Sequence, residues 1–418
     1  MRILFLSDNF PPEVNAPASR THEHCRAWVA AGNSVTVITC APNFPRGEVF
    51  SGYRNRLWSR EELDGIRVVR VWSYITANEG QLRRTLDYVS FMVSATIAAL
   101  FLPRPDVIVA TSPQFFTACA GFLTSRLKRA PYVFELRDLW PESIKAVGAI
   151  RGTRLLRALE RLELFLYRKA ARVVAVTHSF RNNLVRRGID PGRIDVVTNG
   201  VDLSRFSPRP RDAALVAQLR LQGKFVAGYV GTLGMAHGLE TILEAAARVR
   251  QWPDGERYRF VLLGEGARKQ ELVRRAADSR LDNVLFLDSV PKSEVARYWS
   301  LLDVSIIHLR RDPLFETVIP SKLFECMAMG IPILHGVAGE SADIVNRHGV
   351  GLVFEPGNAD QLAVGLRRLA TDAALLVSMR AACVRSAPEY DRRHLADRML
   401  ESLRGVSRAR VVQEKSTG

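Results

Sequence analysis

Residues 225–242 have the sequence FVAGYVGTLGMAHGLETI. Its first part, Phe225–Val230, is apolar and rich in residues that favour strands, so it predicts a buried strand. A glycine-containing turn follows, and then a segment with the spacing of an amphipathic helix that begins near Gly238. A strand, a glycine turn and a helix in this order predict one unit of a parallel sheet covered by helices.

The same alternation of short apolar runs and longer amphipathic segments extends in both directions. Before this stretch, apolar runs recur from Ile3–Leu6 to Ile194–Val197, and after it they continue to Gly351–Phe354. The polar, proline-containing stretch 199–210 interrupts the pattern. The chain therefore predicts an α/β fold with two doubly wound, Rossmann-like domains that face a central cleft.

The interruption also sets the domain boundaries. We predict an N-terminal domain over residues 1–202 and a C-terminal domain over residues 203–387. The amphipathic segment 388–405 has no strand after it, and we expect it to cross back to the first domain. Residues 406–418 are predicted to be a polar tail. Open α/β sheets bind ligands at the carboxyl ends of their strands, so we expect the chemistry in those loops.

Composition narrows the class of protein. The 418 residues are 47% hydrophobic and 24% charged, as in a globular protein. Five scattered cysteines predict neither a disulfide framework nor a zinc site, and a reducing cytoplasm fits them. The first residues lack the pattern of a signal peptide, so we expect no export by that route. The longest apolar run, Tyr88–Leu102, is too short to span a bilayer. We expect a cytoplasmic protein that can lie on a membrane.

Basic residues are in excess, chiefly in the first half. The net charge is +16, and residues 1–200 carry 28 Lys and Arg against 17 Asp and Glu. Such an excess attracts phosphates, anionic lipid or nucleic acid. The sequence contains no recognised nucleic-acid-binding module, so we predict no nucleic-acid partner.

Two segments of the first half carry candidate ligand contacts. The first is FLSDNFPPEVNAPASRTHEH, residues 5–24, in which a proline-rich loop leads to a helix that we expect Ser19 to cap. The backbone amides at the start of this helix could bind a phosphate; the alternative is that the loop has only a structural role. His22, Glu23 and His24 resemble metal ligands, but their spacing splays them on a helix, so no metal is predicted.

The second segment, FELRDLWPES, spans residues 134–143. Its strand ends at Glu135 and brings Arg137, Asp138 and Trp140 to the edge of the sheet. These side chains suit contact with a sugar, and the alternative is a surface ion pair beside a packed tryptophan.

In the second half, glycine turns follow two strands. One is the turn after Val230, and the other is in LLGEGARKQ, residues 262–270, which adds Arg268 and Lys269. Such turns let backbone amides approach a diphosphate, although glycine also ends strands for steric reasons.

The most informative motif is PSKLFECMAMGIPIL, residues 320–334. Pro320 and Ser321 suit a helix start, which places Lys322 in the first turn and Glu325 on nearly the same face. A lysine there opposes the helix dipole unless an anion is bound. We predict that Lys322 holds a phosphate and that Glu325 accepts hydrogen bonds from ribose hydroxyls; the alternative is a solvated lysine on a capped helix.

Eight ordered motifs together resemble family 4 of the retaining glycosyltransferases, and within it the bacterial fucosamine-transferase-like branch that makes O-antigen and capsule. The motifs are SDNFPPEVNAPASR, PNFPRGEVFSGYR, DVIVATSP, ELRDLWPES, NGVD, GLET, GEG and PSKLFECMAMGIPIL. The resemblance covers nearly the whole chain. It implies the GT-B fold and transfer of an N-acetylated or 6-deoxy hexosamine from a nucleotide sugar, with UDP expected, to a polyprenyl-diphosphate-linked glycan at the anionic inner face of the cell membrane.

The resemblance also implies roles for individual residues. The catalytic set is Arg137, Asp138, Lys322 and Glu325. The donor-binding set is Gly231, Thr232, Leu233, His237, Gly264, Glu265, Gly266, Lys269, Val290, Ser321, Lys322, Leu323 and Glu325. The acceptor-binding set is Asn15, Ala16, Arg20, Ser112, Glu135 and Trp140.

The sequence departs from the family pattern at three places. The family has a glutamate pair spaced E-x7-E, whose second member is Glu325 here, while Thr317 occupies the first position and Glu316 lies one residue out of register. His237 stands near the place of a phosphate-binding lysine. A family His-Asp pair is replaced by Arg137 and Asp138.

The resemblance implies a front-face displacement without a metal cofactor, in which the leaving diphosphate helps to remove the acceptor proton. The sequence contains no Asp-x-Asp motif. Two other interpretations stay open: a non-hydrolysing nucleotide-sugar epimerase, and a catalytically inactive scaffold.

Overall fold

The computed structural model describes residues 1–44, 46–76, 81–139 and 153–416. The chain divides into two units. Unit A comprises Met1–Asn199 and Arg392–Gly418, and unit B comprises Gly200–Asp391. Each unit has its own sheet and its own buried apolar clusters, so each is described by itself.

Unit A contains an eight-stranded sheet in the order β3-β4-β2-β1-β5-β6-β7-β8. All neighbouring strands are parallel except β3 and β4. The strand bounds are β1 Arg2–Leu6, β2 Ser34–Cys40, β3 Trp58–Leu63, β4 Ile66–Val71, β5 Val107–Thr111, β6 Tyr132–Leu136, β7 Arg172–Ala175 and β8 Ile194–Val196. The order reverses between β1 and β5, so the loops after these two strands lie at the topological switch point.

The described helices of unit A are α1 Ala16–Ala30, α2 Gln81–Leu100, α3 Phe115–Lys128, α4 Thr153–Lys169, α5 His178–Arg186 and, at the end of the chain, α14 Arg392–Ser416. The last helix packs on α1, where Trp28 Nε1 donates to the carbonyl of Ala396 at 2.9 Å. It begins at Arg392 rather than 388, because Pro388 lies in a 3-10 turn. It also continues through the predicted polar tail, since no Gly or Pro interrupts residues 406–416.

Unit B contains a six-stranded parallel sheet in the order β11-β10-β9-β12-β13-β14. The strand bounds are β9 Phe225–Val230, β10 Tyr258–Leu263, β11 Val284–Leu287, β12 Val304–His308, β13 Ile333–Gly336 and β14 Gly351–Val353. The helix bounds are α6 Ala213–Gln218, α7 Glu240–Arg250, α8 Lys269–Asp278, α9 Val295–Trp299, α10 Lys322–Met329, α11 Glu340–His348, α12 Ala359–Thr371 and α13 Ala373–Ser386. Its order reverses between β9 and β12, which makes the loop after β9 a switch-point loop.

Both sheets confirm the predicted α/β class with two Rossmann-like domains. Their central strands are buried along their whole length, as Val107–Thr111 and Phe225–Val230 illustrate. Such strands are apolar on both faces because helices cover both sides of a parallel sheet. Within the described ranges, no helix has the length and apolarity needed to cross a membrane.

Candidate active site

Two glycine loops of unit B run side by side beyond the ends of β9 and β10. Gly231 donates its amide to the carbonyl of Leu263 at 2.9 Å, and Leu233 donates to the carbonyl of Glu265 at 2.8 Å. These bonds extend the ladder of the sheet past the strand ends. The structure therefore brings together three predicted residues, Gly231, Gly264 and Gly266. Leu233 contributes only its backbone to these loops, because its side chain is buried in the core.

Glycine is required in this pair of loops for a steric reason. Gly264 has φ +151° and Gly266 has φ +155°, both in the region that side chains rarely adopt. A Cβ at Gly264 would overlap the carbonyl oxygen of Gly231, and one at Gly266 would overlap the carbonyl oxygen of Leu233. The glycines thus let the two loop backbones pack directly against each other, with Thr232 and Gly266 exposed on their surface.

Lys322 reaches this surface from the first turn of α10. Lys322 is partly exposed as a residue, yet its Nζ is buried and has no hydrogen-bond acceptor in the described part of the chain. The ammonium lies 3.7 Å from the centroid of the Tyr229 ring. It also lies against Gly231, where a Cβ would be 2.8 Å from Nζ. Burial lowers the pKa of Lys322 to about 8.

A buried ammonium without an acceptor is costly, because its desolvation is not offset by a charged hydrogen bond. An oxyanion placed beside Nζ would supply that bond and would face the positive end of the α10 dipole. The geometry confirms that Lys322 begins the helix, and the surroundings of its ammonium fit a phosphate better than bulk water.

Tyr229 holds this lysine and was missed in the sequence. Its ring is buried at the end of β9, and its hydroxyl donates to the carbonyl of Thr232 at 2.7 Å. The hydrogen bond fixes the ring, whose face attracts the cation. The sequence feature that could have indicated this role is an aromatic residue two positions before the glycine that follows the strand. Spacing alone, however, does not show which side chain the ring contacts.

His237 also lies beside Tyr229, in the 3-10 turn Met235–His237. The two rings are nearly perpendicular, with centroids 5.9 Å apart, and His237 Nδ1 is buried without a partner among the described residues. Burial, together with the charge of Lys322, lowers the pKa of His237 to about 4. The imidazole is therefore neutral at physiological pH, and it offers a hydrogen bond rather than the positive charge of a lysine.

The other predicted donor residues divide into three groups. Glu325 is partly exposed one turn after Lys322, and Ser321 precedes α10 without capping it through its side chain. Leu323 and Val290 pack in the apolar core of unit B. Lys269 donates to Glu265 Oε1 at 2.6 Å and also to Asp288, so its ammonium is already occupied by carboxylates.

In unit A, Arg20 and Glu135 form an internal ion pair. Arg20 Nε donates to Glu135 Oε1 at 2.9 Å, and the two other guanidinium nitrogens donate to the carbonyls of Val197 and Thr198. The residues are only 5% and 1% exposed. The pair ties α1, β6 and the end of β8 together, because each charge is buried and needs its partner. The substrate contacts predicted for both side chains stay a prediction.

Ser112 also has a structural role. Its buried Oγ accepts hydrogen bonds from the backbone amides of Arg137 at 2.7 Å and Asp138 at 3.3 Å, so it shapes the loop after β6. Arg137 donates to the carbonyl of Pro17 at 3.3 Å, and burial lowers its pKa to about 10. Asp138 remains partly exposed beside it.

The start of α1 differs from the prediction. Asn15, not Ser19, caps the helix, because its Oδ1 accepts from the amide of Ala18 at 2.9 Å while Ser19 is buried inside the first turns. Asn15 is thereby used for capping, and Ala16 is exposed. Trp140 lies outside the described residues.

The three metal-like residues of α1 point to different partners. His22 Nε2 lies 2.8 Å from Asp64 Oδ2, Glu23 pairs with Arg392, and His24 is buried against Trp28. Across residues 1–44, 46–76, 81–139 and 153–416, no group of three His, Cys, Asp or Glu side chains is arranged to hold a metal ion.

Comparison with known proteins identifies the chain. The family model described as Glycosyl transferase 4-like domain matches residues 15–200, and the model described as Glycosyl transferases group 1 matches residues 212–389. The chain is a glycosyltransferase. The predicted resemblance to glycosyltransferases is thus confirmed, while its finer assignment to the fucosamine-transferase-like branch stays a prediction.

The relatives of this glycosyltransferase support the same fold. It is 26% identical over 97% of its length to the whole of WcaI of Escherichia coli K12, named for colanic acid biosynthesis. Sucrose-phosphate synthase of Thermosynechococcus elongatus aligns over 98% of this chain and 99% of its own, with a TM-score of 0.78 at 17% identity. HepE of Anabaena, solved with UDP-glucose, aligns over 97% and 100% with a TM-score of 0.72 at 18% identity. The glycosyltransferase has the GT-B fold.

The buried ion pair of this glycosyltransferase predicts a loss of stability. Replacing Glu135 by Ala leaves the Arg20 guanidinium buried without its carboxylate, which costs about 3 to 5 kcal/mol of unfolding free energy. Urea unfolding of Glu135→Ala measures this loss. Glu355→Ala is the control, because Glu355 and its partner Arg311 are both exposed, at 50% and 77%, and its loss should stay below about 1 kcal/mol. Equal stability of Glu135→Ala and the parent would contradict the structural role.

Proposed function

We propose that the glycosyltransferase moves a sugar, an N-acetylated or 6-deoxy hexosamine, from a nucleoside diphosphate onto a polyprenyl-diphosphate-linked glycan, with retained anomeric configuration and without a metal. UDP is the first expected donor nucleotide, and the reaction takes place at the cytoplasmic face of the membrane. The observation that carries the proposal is the buried, unpartnered ammonium of Lys322 beside the glycine loops.

The donor diphosphate has three binding elements in unit B. Lys322 supplies a positive charge, α10 supplies the positive end of a helix dipole, and the glycine loops supply a backbone surface without side chains. Charge grows on the leaving diphosphate as the glycosidic bond breaks. Groups already aimed at that charge stabilise the transition state more than the ground state.

Glu325 would accept hydrogen bonds from the ribose hydroxyls, because its carboxylate is partly exposed on the same helix turn as Lys322. Thr317, at the position of the first family glutamate, has no carboxylate, and its hydroxyl donates to the carbonyl of Leu314 at 2.6 Å within its own turn. Glu316 is exposed next to it. The donor site therefore uses one glutamate, with Lys322 carrying the larger electrostatic role.

Relatives support the nucleotide and the pathway class. HepE was solved with UDP-glucose, and WcaI is named for biosynthesis of colanic acid, a polysaccharide. The chain also contains no Asp-x-Asp motif, which supports a transfer that needs no metal.

The first test is the stereochemistry of transfer. UDP, GDP and dTDP sugars are offered with a polyprenyl-diphosphate glycan, and the anomeric configuration of the product is read by proton NMR. We expect retention of configuration, because the proposed displacement takes place on the front face of the sugar. We also expect an unchanged rate in excess EDTA, because Lys322 and the α10 dipole stabilise the leaving group. Inversion or a strict magnesium requirement would overturn the mechanism.

Two results would replace the proposal by one of the open alternatives. Release of an epimerised nucleotide sugar without any acceptor would indicate the epimerase. Absence of calorimetric binding for all three nucleoside diphosphates would indicate an inactive scaffold.

The membrane surface is the proposed partner of unit A, and an exposed apolar face supports it. On α2 and just after it, Leu86, Val93, Ile97 and Phe101 are between 47% and 74% exposed, and residues 88–103 contain no charge. Four large apolar side chains on one exposed helix face are unusual for a surface in water.

Neighbouring helices extend this face. Lys128 at the end of α3 donates to the carbonyls of Leu100 and Leu102, which places the exposed Leu127 beside the end of α2. Phe122 of α3 contacts Phe165 of α4 with ring centroids 5.2 Å apart, and Phe165 is itself exposed. Exposed arginines adjoin the face, among them Arg83, Arg84 and Arg161.

Changing Arg83, Arg84 and Arg161 to Gln should weaken binding to anionic vesicles by roughly tenfold or more at low salt, since each cation near such a surface contributes about 1 kcal/mol. Co-sedimentation with phosphatidylglycerol vesicles measures the change. The control changes three exposed arginines that do not belong to unit A, namely Arg220, Arg274 and Arg368 of unit B, to Gln. Equal binding of both variants would refute the membrane contact.

A further inference from the structure

A cavity of about 760 Å³ lies within unit B, at the opposite end of the strands from the glycine loops. Its walls come from residues 208–211, from 299–303 before β12, from 329–331 before β13, and from 380–385 of α13. Two of these wall segments lead directly into strands, so the cavity faces the amino ends of β12 and β13. The glycine loops follow the carboxyl ends of β9 and β10, so the cavity is separate from the donor site.

Positive charge dominates the lining. Four arginines line the cavity, namely Arg209, Arg211, Arg380 and Arg385, against a single carboxylate, Asp303. Asp303 pairs with Arg211, accepts from Arg380 at 3.2 Å and also accepts the amide of Val226 at 2.8 Å.

The other two arginines, Arg209 and Arg385, have no carboxylate partner among the described residues. Within that part of the chain, Arg209 donates only to backbone carbonyls, including that of Arg205 at 3.0 Å. Guanidinium groups match phosphate oxygens with two parallel hydrogen bonds, which makes an anion the fitting occupant.

The remainder of the lining is apolar and contains an unused donor. Trp299 is fully buried in the wall, and its Nε1 has no acceptor among the described residues. Val384 is 44% exposed nearby, and Met329 ends α10. An amphipathic ligand would place its apolar part on these side chains, and a cavity of this size is in the range of small-molecule sites.

The arginines are not explained by the carboxyl end of α10. A helix end attracts cations when its last carbonyls lack partners. Here the amide of Gly330 donates to Met327 at 3.1 Å and the amide of Ile331 donates to Cys326 at 2.9 Å, so backbone groups already cap the helix.

We propose that this cavity is a second binding site, which takes a small organic phosphate. Arg209 and Arg385 hold the phosphate, and Val384 contacts its apolar part, with Trp299 packed in the wall. The inference rests on the lining of the cavity and is independent of the proposed transfer reaction. Because α10 runs from Lys322 to Met329, the occupant contacts the helix that carries the donor-site lysine, which fits an effector rather than a second substrate.

The probe is 1-naphthyl phosphate, titrated calorimetrically into the full chain. We expect saturable binding that UDP does not compete away and that Lys322→Met retains. Arg209→Gln with Arg385→Gln should weaken it at least tenfold, and Val384→Glu should do the same by placing a negative charge in the wall. Arg274→Gln with Arg368→Gln is the matched control and should bind like the parent.

Two further probes separate the contributions of charge and apolar surface. We expect 1-naphthol to show no binding and inorganic phosphate to bind at least tenfold more weakly than the naphthyl ester. Parent-like affinity in the Arg209 and Arg385 variant would overturn the site. Loss of binding in Lys322→Met, or displacement by UDP, would also overturn it, because the probe would then occupy the donor site.

Discussion

Lys322→Met should lower kcat/KM for glycosyl transfer by about a hundredfold, because one charged hydrogen bond to the leaving diphosphate, worth about 1.5 to 3 kcal/mol, is lost. Methionine keeps an unbranched apolar stem against Tyr229. The melting temperature should not fall, since the ammonium of the ligand-free protein is buried without an acceptor and its removal relieves that cost. Steady-state kinetics and calorimetric melting measure the two effects.

The pH dependence of nucleotide binding gives the same prediction a second readout. The pKa of Lys322 is lowered to about 8, so the ammonium form dominates below that pH and is lost as the pH rises through it. Affinity for UDP should therefore fall by up to tenfold per pH unit well above pH 8. The Lys322→Met variant should lack this dependence.

Lys224→Met is the control for these measurements. Lys224 lies just before β9, at the opposite end of that strand from the glycine loops, and donates to the carbonyl of Glu256 at 2.8 Å. It should retain parent-like kinetics and the parent pH profile. Parent-like turnover of Lys322→Met would show that the donor site is misplaced.

Gly264→Ala should abolish detectable donor binding and lower the free energy of unfolding by about 4 kcal/mol, the sum of backbone strain and overpacking. The added Cβ would meet the carbonyl oxygen of Gly231, and φ +151° is unfavourable for alanine. The two glycine loops would have to separate, which removes the backbone surface beside Lys322. Urea unfolding and UDP titration measure the two losses.

The matched control is Gly223→Ala. Gly223 also has a positive φ, +65°, but nothing lies within 4 Å of its Cβ position. It should lose only about 1 kcal/mol and keep full donor affinity, because αL strain acts without a clash. Similar losses in both variants would mean that the packing of the two loops is not what shapes the site.

The regular elements were predictable because their signals are local. The apolar runs at Ile3–Leu6 and Phe225–Val230 coincide with β1 and β9. The domain boundary predicted after residue 202 lies close to the division of the chain between Asn199 and Gly200. The strand Trp58–Leu63 gives no such signal, because it pairs on one side only and its four middle residues, 59–62, are polar.

The candidate site was predictable where a residue is unfavourable for the local structure in which the sequence places it. Lys322 could be singled out because a cation in a first helical turn opposes the dipole. Arg20 and Glu135 could not be recognised as partners, since they are 115 positions apart and each alone looks like a ligand contact. Tyr229 was missed because the alternation of side chains along a strand does not show which side chain, distant in sequence, packs against its ring.

The position of the bound nucleoside diphosphate tests the donor site most directly. A crystal structure of the chain with the tightest binder among UDP, GDP and dTDP should place a diphosphate oxygen within hydrogen-bond distance of Lys322 Nζ, with the ribose hydroxyls at Glu325. A diphosphate held elsewhere, with the Lys322 ammonium still on the Tyr229 ring and unpaired, would contradict this assignment.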